Sequence, residues 1–92
     1  MLEDTAVFQR ARAIERMQVD RAAVLVNRGE QAYFGVNAVG ARIWALLEEP
    51  RSVPDLVRIL TREFAIDDAA CREATEAFLR QLLARQLIER SP

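Results

Sequence analysis

Apolar and polar positions follow one period in the first third of the chain and another in the rest. Ile14 to Val19 (I-E-R-M-Q-V) alternates imperfectly, with Met17 and Val19 on one face, as a half-buried strand does. Ala22 to Val26 (A-A-V-L-V) is apolar on both faces and partly β-branched, the composition of a covered strand. Glu30 to Phe34 (E-Q-A-Y-F) makes a third. Side chains alternate along a strand, so Tyr33 and Phe34 point to opposite faces. Asp20-Arg21 is a polar turn between the first two strands, and Asn27-Arg28-Gly29 separates the second from the third. Gly29 suits a three-residue turn closed by a bulge; a two-residue turn on Arg28-Gly29 is the rival, and the choice shifts the register by one residue.

After Gly35 the apolar residues recur every three or four positions. Asn37 is placed to cap a helix from Ala38 to Glu48, with Val39, Ile43, Leu46 and Leu47 on its buried face and Trp44 beside them. Gly40 costs that helix about 1 kcal/mol relative to alanine, which close approach of another backbone would explain. Pro50 ends the helix. Ser52-Val53-Pro54-Asp55 then has the chemistry of a helix start, with Ser52 as cap. Val53, Leu56, Val57, Leu60 and Phe64 are the expected buried stripe of the second helix.

Asp67 or Asp68 caps a third helix reaching Arg85. At 100° per residue, Cys71, Thr75, Phe78, Leu79 and Leu82 form its core band. Ala70, Ala74, Ala77, Gln81 and Ala84 form a second band beside it, and Glu73, Glu76 and Arg80 mark the water side. Leu87 and Ile88 are expected to fold back onto the core. Met1 to Thr5 reads as a loose tail, and Ala6 to Ala13 fits either a short helix or an extended lead-in, with Phe8 as a core or edge anchor. Residues 1–12 are thus expected to be partly flexible within one domain spanning residues 1–92. The order of elements gives an α+β fold, a three-stranded antiparallel sheet followed by three helices, similar in outline to a winged helix-turn-helix.

Composition narrows the chemistry. The chain has 92 residues, a net charge of −1, one cysteine and no histidine. A Ser-His or Cys-His nucleophile is therefore impossible, and a zinc site of the usual ligands cannot form within one chain. Cys71 falls on an apolar helix face, where an inert core thiol is expected. The Asp67-Asp68 pair reads as cap and dipole complement. The three glycines are scattered, so no phosphate-binding loop is present. No catalytic residue, metal or cofactor is expected. No apolar run approaches the roughly 20 residues of a membrane span, and the acidic start M-L-E-D-T lacks a signal-peptide core, so a cytoplasmic protein is expected. All thirteen basic residues are arginine and none forms a run. Arg72, Arg80 and Arg85 on the third helix are interleaved with Glu73, Glu76 and Glu89, which weakens the DNA-binding reading that three helices beside a hairpin invite.

Two features point to peptide binding. The strand Glu30 to Phe34 holds neither proline nor lysine, and so lacks two devices that block pairing at a sheet edge. The alanine band has two readings. Alanine is the best helix former and needs no further reason; alternatively, small side chains leave room for another backbone beside the helix. In the second reading an added strand takes its hydrogen bonds from the sheet edge and its side-chain pockets from the helix.

The run G-E-Q-A-Y-F-G-V-N-A-V-G-A-R-I-W-A-L-L-E, then R-S-V-P-D-L-V-R-I-L and A-F-L-R-Q-L-L-A-R-Q-L-I-E, resembles the PqqD-like family, the leader-peptide recognition elements of ribosomally made, modified peptides. The resemblance covers Ile14 to Glu89 and is most specific from Tyr33 through Trp44 to Leu47. It is similar in particular to the stand-alone recognition proteins of lasso peptide clusters. It implies that the leader of a precursor peptide adds as a strand to the third strand and lies in the groove between that strand and the third helix. Gln31, Ala32, Tyr33 and Phe34 would supply the edge. Ala70, Ala74, Ala77, Phe78 and Gln81 would line the helix side, with Arg85 at one rim. Members often carry glycine where this chain has Gln86. The implied work is delivery of the precursor to a separate leader peptidase and cyclase, with no chemistry, nucleic acid or membrane of its own.

Overall fold

The computed structural model describes residues 2–11, 17–19, 24–27, 32–35 and 37–91; between 17 and 35 it describes the backbone path. The elements run β1 (Val7–Arg10), β2 (Met17–Val19), β3 (Val24–Asn27), β4 (Ala32–Gly35), α1 (Ala38–Leu46), β5 (Arg51–Ser52), α2 (Val53–Phe64), α3 (Asp68–Ala84) and β6 (Ile88–Arg90). The expected antiparallel sheet of three strands is present in the order β2-β3-β4, and three helices follow it.

The hairpin register differs from both turns expected at Asn27 to Gly29. Asn27 pairs with Ala32, Val26 with Tyr33, Leu25 with Phe34 and Val24 with Gly35. Asn27 is thus still a strand residue, and the described part of the third strand is Ala32–Gly35, with Glu30 and Gln31 outside the described residues. The expected turn residues Arg28 and Gly29 lie outside the described residues.

A second sheet, β5-β1-β6, was not legible in the periodicity. It gathers three short segments from distant parts of the chain. Phe8 faces Arg51 on one side and Arg90 on the other, and all pairs are antiparallel. Val7–Arg10, within the segment expected to be partly flexible, is the central strand. Its ends are tied by Ser91 N–H to the Val7 carbonyl at 2.7 Å and by Ala11 N–H to the Leu87 carbonyl at 3.1 Å.

Each helix starts on the side chain its sequence provides. The Asn37 Oδ1 accepts from Gly40 N–H at 2.8 Å. Ser52 and Asp55 form a reciprocal capping box, each side chain taking the other's backbone N–H. Asp67 accepts from Ala70 N–H. The core is built from Phe8, Ile43, Trp44, Leu47, Val53, Leu56, Leu60, Cys71, Leu79 and Leu82, each at most 2% exposed. Leu87 and Ile88 fold back onto it as expected.

Two expectations about faces fail. Phe64 is 37% exposed instead of buried, because it is the last residue of α2 and Ala65 turns the chain away in a left-handed conformation. Glu76 is 6% exposed instead of facing water, because the N-terminal segment crosses α3 at that point. No helix among the described residues is long and apolar enough to cross a membrane.

Candidate groove between an open strand and two helices

Among the described residues β4 pairs with β3 alone, so no described strand lies along its outer row of backbone groups. An unpaired row of this kind is a template for another chain. Ala32, Tyr33 and Phe34 belong to this strand; Gln31 lies outside the described residues. Gly35 ends the strand two residues before Asn37, and chain geometry keeps their Cα atoms within about 7 Å. The open edge therefore leads to the start of α1.

A cavity of about 330 Å³ opens there between α1 and α3. Its α1 side is Asn37, Val39, Gly40 and Ile43; its α3 side is Cys71, Ala74, Ala77, Phe78 and Gln81, with Ile66 from the α2–α3 connection. Four of the six helix-side residues singled out from sequence thus meet in one hollow: Ala74, Ala77, Phe78 and Gln81. Ala70 is exposed, lies on the same band one turn earlier and does not line it. Arg85 is the C-cap of α3, one turn beyond Gln81, and also stands outside the lining.

The chemistry of the hollow follows from its residue types. Ala74 and Ala77 are exposed and end at a methyl group, which keeps the mouth wide. Phe78 is half-buried and packs on the core, and Ile43 and Cys71 are nearly inaccessible and close the floor. The Cys71 thiol contacts the Thr75 hydroxyl at 3.9 Å within the core. Among the described residues no group of three or more acidic, cysteine or histidine side chains could hold a metal ion. The hollow suits apolar side chains, with two amides, Asn37 and Gln81, among its lining.

Sequence reasoning missed the α1 side. Val39 and Ile43 read as ordinary core, and Gly40 as a cost awaiting a close neighbour. Gly40 in fact lines the hollow, and a glycine inside an otherwise regular helix was the available signal.

The electrostatics lie on other faces of α3. Glu76 takes the Leu2 N–H at 3.3 Å and guanidinium groups from Arg72 at 2.8 Å and Arg80 at 3.2 Å. The Arg72 hydrogen bond foremost holds its carboxyl below the usual range. Arg72 also pairs with Asp4. Arg10 caps α1, donating twice to the Trp44 carbonyl and lying 4.6 Å above the Trp44 ring.

Comparison with known proteins gives a consistent picture. The family model described as Coenzyme PQQ synthesis protein D (PqqD) matches residues 22–88. Among solved structures, TbiB1 in complex with the TbiA(beta) leader peptide is similar, with a TM-score of 0.72 and 30% sequence identity. The match covers 88% of this chain and 94% of that one. No curated protein sequence matches the chain.

Proposed function

The chain belongs to the PqqD family, and from that membership we propose that it binds the leader region of a precursor peptide by β-strand addition to β4. The bound precursor is presented to a separate leader peptidase and then a cyclase, in the cytoplasm, as in lasso peptide biosynthesis. The module performs no chemistry of its own.

One combination supports this reading: β4 pairs with β3 alone among the described residues, and the chain passes from its end at Gly35 to Asn37, which lines a hollow walled by Ala74, Ala77, Phe78 and Gln81. An extended guest would bond to the backbone of Ala32, Tyr33 and Phe34, continuing toward Gln31. Its alternate side chains would enter the hollow, where the methyl groups of α3 give them space. Ala70 and Arg85 extend the same contact surface at the two ends of the alanine band. The similar structure holds a leader peptide, which supports the same class of ligand here. A DNA-reading α3 finds less support, since half-buried Arg72 is already paired with Glu76 and Asp4, and exposed Arg80 with Glu76.

Ala74→Arg tests the site. Ala74 is exposed and arginine is a good helix former, so the fold should persist. The long side chain fills the mouth of the hollow. Titrating the labelled TbiA(beta) leader should show at least about tenfold weaker binding to the variant, or 1.4 kcal/mol. Equal affinity of folded wild type and variant for that peptide would refute the placement.

A further inference from the structure

A second hollow lies on another side of α3. It runs between α2 and α3, about 580 Å³ in volume, lined by Pro54, Val57, Thr61 and Ala69 and by Arg58, Arg62 and Arg72, with Asp68 as its acidic member. Arg72 and Ala74 are two residues apart, which sets them about 160° apart around the helix. A guest in this groove and a peptide on the alanine band would therefore occupy different faces of α3.

The groove combines an apolar floor with a cationic rim. Pro54 and Ala69 are exposed and Val57 is half-buried. Arg62 is exposed and makes no ion pair among the described residues. Arg58, with a side chain 61% exposed, has Asp55 at 3.5 Å, the outer limit of such a contact. The kind of segment that satisfies such a rim is already visible beside it. The chain's own Leu2-Glu3-Asp4 lies across the neighbouring face, with Leu2 packed on the core, its N–H on Glu76, and Asp4 paired with Arg72. An apolar residue followed by carboxylates thus fits the edge of this surface, while Arg58 and Arg62 further along are left with little or no countercharge.

We propose that the α2–α3 groove is a second docking surface, which takes an acidic segment with interspersed apolar side chains from a partner protein while the leader site on the other face of α3 stays free. Apolar residues of that segment rest on Pro54, Val57 and Ala69. Its carboxylates meet Arg58, Arg62 and the outer edge of Arg72. Binding of the acidic segment stands apart from the leader reading; that the module then holds a peptide and a protein together rests on it.

The test uses a labelled synthetic decapeptide in which leucine alternates with Asp and Glu pairs, and a matched peptide carrying Asn and Gln instead. Binding is followed by anisotropy on the full chain, on the double variant Arg58→Glu, Arg62→Glu, and on Ala74→Arg. Both arginines are exposed, so the double variant should fold, which circular dichroism checks. The acidic peptide should bind the wild type and Ala74→Arg equally, and the double variant about tenfold more weakly. The neutral peptide should not compete. The proposal is overturned if the acidic peptide fails to bind or binds the double variant unchanged. It is equally overturned if Ala74→Arg abolishes binding, which would put the probe in the leader site. Displacement of the probe by duplex DNA at equal charge would also overturn it, making the groove a general polyanion patch.

Discussion

Glu76 shows how one side chain can be read wrongly from its own helix. Its spacing with Glu73 and Arg80 places it on the water side of α3, yet the N-terminal segment covers it and Leu2 donates to it. Its carboxyl is held below the usual range by the Arg72 hydrogen bond first, then by the Leu2 N–H and the charges of Arg72 and Arg80, against some desolvation. A carboxyl with a depressed folded-state value contributes stability above its unfolded value, about 4.3, and loses it as pH falls through the folded value. Urea unfolding of wild type and Glu76→Gln should therefore differ most at neutral pH, with the wild type more stable. The gap should close as the pH is taken below 4. A gap independent of pH would mean that the charge on Glu76 contributes nothing.

β4 is four residues long and has one neighbour among the described strands, and the proposed binding mode depends on that asymmetry. In a strand, successive N–H groups point to opposite sides. Of Ala32 and Tyr33, one donates toward β3 and the other toward the open side. Proline at the outward one removes a donor that only a guest strand would use. It should lower leader affinity by one hydrogen bond, about 0.5–1.5 kcal/mol, or roughly two- to tenfold, with the melting temperature nearly unchanged. Proline at the other position breaks a ladder bond and should lower the melting temperature instead. Two proline variants that both leave leader binding intact would rule out strand addition.

The whole molecule is closed by the sheet that periodicity did not reveal. β1, β5 and β6 join the N-terminal segment, the α1–α2 junction and the C-terminal segment over the helices, and Phe8 at the centre has no exposed surface. Phe8→Ala should cost about 3–5 kcal/mol, since the cavity left is walled by a core that collapses only in part. Phe64→Ala, at a 37% exposed position, should cost less than about 1.5 kcal/mol. Denaturant midpoints of the two variants measure the contrast. Similar losses would contradict the burial described for the N-terminal segment.

What could be read in the chain beforehand was whatever depends on neighbours a few residues apart. The three helices, the caps at Asn37, Ser52 and Asp67, and the β2-β3-β4 sheet all follow from local spacing and capping chemistry. So does the alanine band of α3, because a helix fixes which residues share a face. Gln86 marks a boundary of that reading: it adopts φ 60°, the left-handed conformation that glycine takes without cost, and the chain turns there into β6. The second sheet, the covering of Glu76, the exposure of Phe64 and the α1 wall of the hollow depend on contacts between segments distant in sequence. β2, β3 and β4 are short too, but they follow one another with turn residues between them, whereas β1, β5 and β6 come from distant parts of the chain with no local signal to join them. Whether a face meets solvent or another segment is set by how the elements stack. The sequence by itself determined a three-helix α+β module with an edge suited to a peptide. Only the tertiary structure decided that α1 and α3 together wall a hollow, because a groove belongs to the space between elements and to no one of them.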